Sequence, residues 1–150
     1  MTYSISLTTV TNSIAALSIS GVTIKDVDEI AASWGKQANI MYPKPDNFIT
    51  NAKFSADSFG SNGAEAARFS CNMTYRFLGT QVGNMGTFTS AYNNVITKMV
   101  TILNVISSND VITGADDFRF ISQSNIGPLA DPAGNLFHGV DLTFWYEEYL

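Results

Sequence analysis

The stretch Phe69-Ser70-Cys71-Asn72-Met73-Thr74-Tyr75-Arg76-Phe77 decides the fold. Phe69, Cys71, Met73, Tyr75 and Phe77 alternate with Ser70, Asn72, Thr74 and Arg76. Successive side chains of a pleated strand point to opposite faces, so a strict period of two reads as a strand with one buried and one wet face. Gly79, Gly83 and Gly86 mark a turn region after it. The period then changes. Phe88, Ala91, Tyr92, Val95, Ile96, Met99, Val100, Leu103 and Ile106 fall on one helical stripe, with Thr87 or Thr89 able to cap its start and Ser107-Ser108-Asn109-Asp110 ending it. A helix of about five turns can cover the apolar face of the strand before it.

Toward the C-terminus, Phe118-Arg119-Phe120-Ile121 reads as a strand. In a second one, Val140, Leu142, Phe144 and Tyr146 alternate against Asp141, Thr143, Trp145 and Glu147. Between them Gly127-Pro128-Leu129-Ala130-Asp131-Pro132-Ala133-Gly134 reads as a turn-rich loop. Toward the N-terminus, Leu7, Val10, Ile14 and Leu17 give one face of a helix from about Ser4 to Ser18. Ser4 or Ser6 is available as N-cap, and Gly21 ends the helix in a left-handed conformation. Val22–Lys25 alternates as a short strand, and Asp26–Ile30 opens a helical turn that buries Val27, Ile30 and Trp34. Ile40–Tyr42 is a strand that stops at Pro43, since proline lacks the donor and restricts the residue before it. Phe48–Thr50 resumes extended structure. Ser55–Ala67, with its small residues, Gly60 and Gly63, has no periodic signal and reads as a loop, either an interaction or lid segment or a disordered connection. The expectation is one α+β domain over residues 1–150, with an antiparallel sheet packed on one face by helices.

Composition narrows the function. The chain has 150 residues, 8 of them Lys or Arg and 13 Asp or Glu, for a net charge of −5. Apolar residues at 45% supply a core and argue against disorder. Scattered basic residues on an acidic chain make a poor coat for nucleic acid. No apolar run is long enough for a membrane span, and the opening residues lack the basic and apolar blocks of a secretory signal. Charged residues are only 14%, while Ser, Thr and Asn number 15, 14 and 13. Short neutral polar groups cost less to desolvate and order than Lys and Glu, which suits a surface packed against neighbours as well as an unusual solvent-exposed one.

Nothing here points to catalysis, a cofactor or a metal. Cys71 is the only cysteine and lies in phase with the apolar side of its strand, so it reads as a buried structural thiol. His138 is the only histidine and sits where the last strand begins. One Cys and one His cannot build a four-ligand zinc site. The carboxylates fall in three short groups, Asp26/Asp28/Glu29, Asp116/Asp117 and Glu147/Glu148, none with calcium-loop spacing, and read as solvated charge at element ends. The glycines fit neither a dinucleotide nor a phosphate-loop fingerprint. From residue 110 onward there are seven acids and one base, Arg119, which would suit either solubility or a lumen that DNA slides past.

The ordered set resembles the tail-terminator (tail-completion) proteins of long-tailed bacteriophages. It comprises an N-terminal helix, then Gly21-Val22-Thr23-Ile24-Lys25-Asp26-Val27-Asp28-Glu29-Ile30 and Ile40-Met41-Tyr42-Pro43-Lys44-Pro45. Tyr75-Arg76-Phe77-Leu78-Gly79-Thr80-Gln81-Val82-Gly83, the long helix and Phe137-His138-Gly139-Val140-Asp141-Leu142 complete it. The resemblance implies a virion protein, made in the host cytoplasm, that forms a six-membered ring at the head-proximal end of the tail tube. Such a ring stops tube polymerisation and offers a surface to the connector, while DNA passes through its centre. Another neck, head-completion or tube component, or a free-standing small-ligand binding domain, remains open. Loops are where such assemblies dock. The expected interface residues are accordingly Pro43, Lys44 and Pro45, Phe59 in the 55–67 loop, and Pro128 and Leu129 in the 127–134 loop. Trp145 and Tyr149 on the terminal strand join them.

Overall fold

The computed structural model describes residues 4–25, 37–59, 64–83, 88–108 and 112–150, with 57–59 and 64–66 given by their backbone. Its axis is a pair of long antiparallel strands, β4 (Ala64–Gln81) and β7 (Leu136–Tyr149). The register sets Cys71 opposite Tyr146, Met73 opposite Phe144, Tyr75 opposite Leu142 and Phe77 opposite Val140. These eight side chains share one face and are fully buried. Each contributes about 1.5–3 kcal/mol of burial where the side chain is large. The helix α2 (Phe88–Ser108) covers them with Ala91, Val95, Met99, Ile102 and Ile106. Helix α1 (Leu7–Ala15) adds Val10 and Ile14 to the same core. At Gly139 a Cβ would lie 2.3 Å from the Phe77 carbonyl oxygen, so the close backbone approach there requires glycine.

Each long strand carries two short ones along its outer edge. β2 (Ile40–Pro43) and β3 (Ile49–Phe59) flank β4, and β5 (Asp117–Gln123) and β6 (Gly127–Ala130) flank β7. All of these pairings are antiparallel. β1 (Thr23–Ile24) lies parallel to β2, so the sheet of seven strands is mixed. The whole is the expected α+β architecture, one helix lying on a largely antiparallel sheet.

Several local expectations are corrected. The segment 55–67 is mostly strand: β3 and β4 pair from Ile49↔Met73 to Phe59↔Ala64. Its small polar residues give no burial signal, because backbone hydrogen bonds rather than apolar packing hold this part of the ladder. A register shift between Thr50 and Lys53 surrounds Asn51, whose positive φ of 52° suits a bulge and the tolerance of Asn for the left-handed region. Residues 127–130 are likewise strand; only the 131–134 portion is a turn, and Pro128 is tolerated because β6 is an edge. α1 is shorter than the 4–18 stripe, and Gly21, with φ +72°, serves the turn closed by the Ile19↔Val22 bridge rather than the helix end. On α2 the buried row runs through Ile102, leaving Phe88, Ile96 and Val100 of the expected stripe exposed. The helical turn at Asp26–Ile30 and Trp34 lies outside the described residues.

Candidate interaction surface

The alternation that buries one face of β4 and β7 puts polar side chains on the other. Thr74 and Thr143 face each other across the ladder, their hydroxyl oxygens 3.1 Å apart. One step along, Arg76 opposes Asp141. Arg76 Nε donates to Asp141 Oδ1 at 2.8 Å and Nη2 to Oδ2 at 3.0 Å, a two-pronged pair. Its Nη1 donates to the Ala130 carbonyl at 3.2 Å. The Asp141 hydrogen bond outweighs burial and raises the Arg76 pKa, so the guanidinium stays charged. Burial also pushes the Tyr42 phenol beside it up to about 12. Both described helices send their buried side chains to the other face.

Both flanking edges break beside this pair, one at Thr74 and the other at Asp141. Lys44 N–H donates to the Thr74 carbonyl and Thr74 N–H to the Phe48 carbonyl, so residues 44–48 leave the ladder and return to the same point. On the other edge Ser124 N–H donates to the Asp141 carbonyl, and Asp141 N–H donates to the Ser124 hydroxyl. The turn after β6 is held by Asp131, whose carboxylate accepts from the N–H groups of Ala133 and Asn135 and from the Asn135 side chain. Together these excursions wall a cleft of about 440 Å³ floored by Tyr42 and Arg76 and rimmed by Lys44, Pro45, Asp131 and Pro132. Lys44 Nζ lies 3.9 Å from Asp141, which completes a compensated charge cluster. Such a cleft can seat a protruding loop by shape; its cations are already engaged by carboxylate.

The structure thus brings together two of the segments expected to dock, around Lys44–Pro45 and around 130–132. Pro43 itself is buried. Leu129 is half-buried and packs on a small second core of Ile40, Tyr42, Leu78 and Phe137, while Pro128 is exposed. Trp145 lies half-buried on the polar face, with the Arg119 guanidinium 6.0 Å from its ring centre. Tyr149 is exposed at the far end of β7, and the backbone of Phe59 closes β3 against Ala64. Arg76 and Asp141 went unread as a pair, although two alternating strands in antiparallel register could have suggested it. Glu148 is the other correction. It is buried, not solvated, and accepts hydrogen bonds from Tyr146 O–H and from Ser6 N–H at the start of α1. Cys71 is buried as expected, and burial pushes its thiol up to about 11.

Two sheet edges are open. Among the described residues β3 pairs only with β4, and β5 only with β7. Ala64–Ala66 pair with β3 alone, beyond the end of β7, so the hairpin projects as a two-stranded ribbon. Among the described residues no group of His, Cys, Asp and Glu could hold a metal ion, and no helix is long and apolar enough to cross a membrane. Comparison with protein-family models and with curated proteins finds no match.

Proposed function

We propose that the chain is the subunit of a ring in a phage particle, a structural protein that ends the tail tube at its head-proximal side and presents a joining surface to the connector. The observation that carries this reading is the pair of open edges. β3, β4, β7 and β5 follow one another in the sheet, each antiparallel to the next. An even number of alternating strands ends in edges of opposite direction. Rotation of one copy about an axis along the strands therefore brings β3 of one subunit antiparallel to β5 of the next. Repetition of that heterologous contact closes a ring if the rotation closes.

The two edges also match in chemistry. By register, Lys53 of β3 lies on the polar face and Phe54 on the apolar face; on β5 Asp117 is polar-side and Phe118 and Phe120 are apolar-side. A bare edge of this length invites another strand, and a two-stranded ribbon is marginal alone in water. On the polar face two of the cations have carboxylate neighbours, Arg76 with Asp141 and Arg119 with Asp117 at 3.9 Å. Such pairing draws these two charges away from phosphate, which suits a passage for DNA.

Negative-stain imaging of the protein across a concentration series, with and without isolated tail tubes, tests the reading. Six-fold rings and caps at one tube end are expected. Rings that ignore tubes would move the protein to another part of the neck, and a monomer at every concentration would sink the assembly reading.

A further inference from the structure

A groove of about 320 Å³ opens at the end of the sheet away from the ribbon, between Val82 and Gly83 of the turn after β4, Phe88 and Tyr92 of α2, Pro128 and His138. Among the described residues no charged side chain lines it. Two features of its wall are unfavourable as they stand. His138 is only 7% exposed, and its Nδ1 is buried with no hydrogen-bond partner among the described residues. Native proteins rarely leave such an atom unpaired. Phe88 is 72% exposed, its ring 4.7 Å from that of Tyr92 and edge-on to His138 at 6.4 Å. An exposed apolar row continues from it along α2 through Ile96 at 44% and Val100 at 48%.

We propose that this groove is a socket for one aromatic side chain bearing a polar hydrogen, a tyrosine, presented by a protein partner. The entering ring packs against Tyr92 and Phe88, and its hydroxyl donates to His138 Nδ1. Phe88, held by so little burial, rotates outward to open the path to that nitrogen. One occupant thereby relieves both unfavourable features. The row through Ile96 and Val100 extends the contact well beyond one side chain, which marks a protein surface rather than a pocket for a free small molecule. Pro128 offers no N–H, so the partner engages by inserting a side chain rather than by adding a strand. The proposal is independent of ring closure, since the groove lies on α2 and β6 rather than on the β3 or β5 edge.

His138 is the only histidine, so the ¹⁵N-histidine-labelled full chain has one imidazole to follow. Titration with N-acetyl-tyrosinamide is expected to move the Nδ1 resonance saturably. N-acetyl-phenylalaninamide should bind about fivefold more weakly, for want of one hydrogen bond, and leave Nδ1 in place. Equal responses to the two amides, or no saturable shift with the first, would overturn the hydrogen-bonded socket. The peptide acetyl-Tyr-Ala-Ala-Leu-amide, long enough for its leucine to reach the Ile96 row, should bind more tightly than the amide. Combined Ile96→Ser and Val100→Ser substitutions should erase that gain while leaving amide binding unchanged. A peptide that binds no better than the amide would overturn the assignment to a protein partner.

Discussion

The two faces of the β4–β7 pair are built from alternate residues of the same two strands in one register, yet they are held by different physics. On the helix side, Met73, Tyr75, Phe77, Leu142 and Phe144 are buried against α2 and stabilise the fold by removing apolar surface from water. That force is non-directional. On the other side, Thr74 meets Thr143 and Arg76 meets Asp141 through pairings that hold only at fixed geometry. The first face supplies the stability. The second adds these pairings and the small core of Ile40, Tyr42, Leu78 and Phe137, and beside them leaves a cleft open to a partner.

The sharpest way to separate the faces is to place the same charge on each. Phe77→Asp or Val95→Asp puts an unpaired carboxylate into the sheet–helix contact and deletes a buried side chain, a loss of at least about 4 kcal/mol. A domain of this size has about 5–15 kcal/mol in all. Both variants should fail to show a cooperative thermal transition. Asn72→Asp, five residues earlier on β4 and on the polar face, should melt within a few degrees of the parent. Normal unfolding of Phe77→Asp would break the assignment of faces, and with it the phase of α2.

Within the polar face the largest single dependence is on Arg76. Arg76→Ala leaves the half-buried Asp141 carboxylate with Lys44 at 3.9 Å as its remaining cation. The expected cost is about 2 kcal/mol, below that of a fully buried pair because both side chains keep some water. A double-mutant cycle of Arg76→Ala and Asp141→Ala by urea denaturation measures it. Coupling indistinguishable from zero would reduce the pair to an ornament of the cleft.

The difference between the faces also explains what could be read in advance. The strands at 69–77 and 140–147 and the long helix were legible because burial leaves a period in the sequence. β3 beyond Thr50 and β6 were not, since an edge strand with small or polar residues is specified by hydrogen bonds to a neighbour that sequence does not name. The helix stripe was legible in kind but offset: it included Ile96 and Val100, which are exposed, and missed Ile102, which is buried, because an apolar side chain on a helix says nothing of which neighbour covers it. The cleft was half legible. Its prolines marked the break after β2 and the turn after β6, whereas the Arg76–Asp141 pair depends on the register between β4 and β7.

Glu148 tests the contrast from the opposite direction, because it is a charge that the apolar side accepts. It follows Tyr146 in the inward phase of β7 and is only 8% exposed. Burial pushes its carboxyl up, but hydrogen bonds from Tyr146 O–H and Ser6 N–H outweigh that effect and leave it below the usual carboxylate range. Burial and the same hydrogen bond raise the Tyr146 phenol, which stays protonated as the donor. A carboxyl lowered in the folded state contributes stability that is fully present above its unfolded value, about 4.3, and is lost as pH falls through the folded value. Glu148→Gln should therefore cost about 1 kcal/mol at pH 7, seen as a lower urea midpoint. The gap should narrow in acid, where the parent's own carboxyl takes up a proton. A gap unchanged between pH 7 and pH 3 would mean that the carboxylate charge contributes nothing there. The fastening of α1 to the end of β7 would then rest on hydrogen-bond geometry and packing rather than on charge.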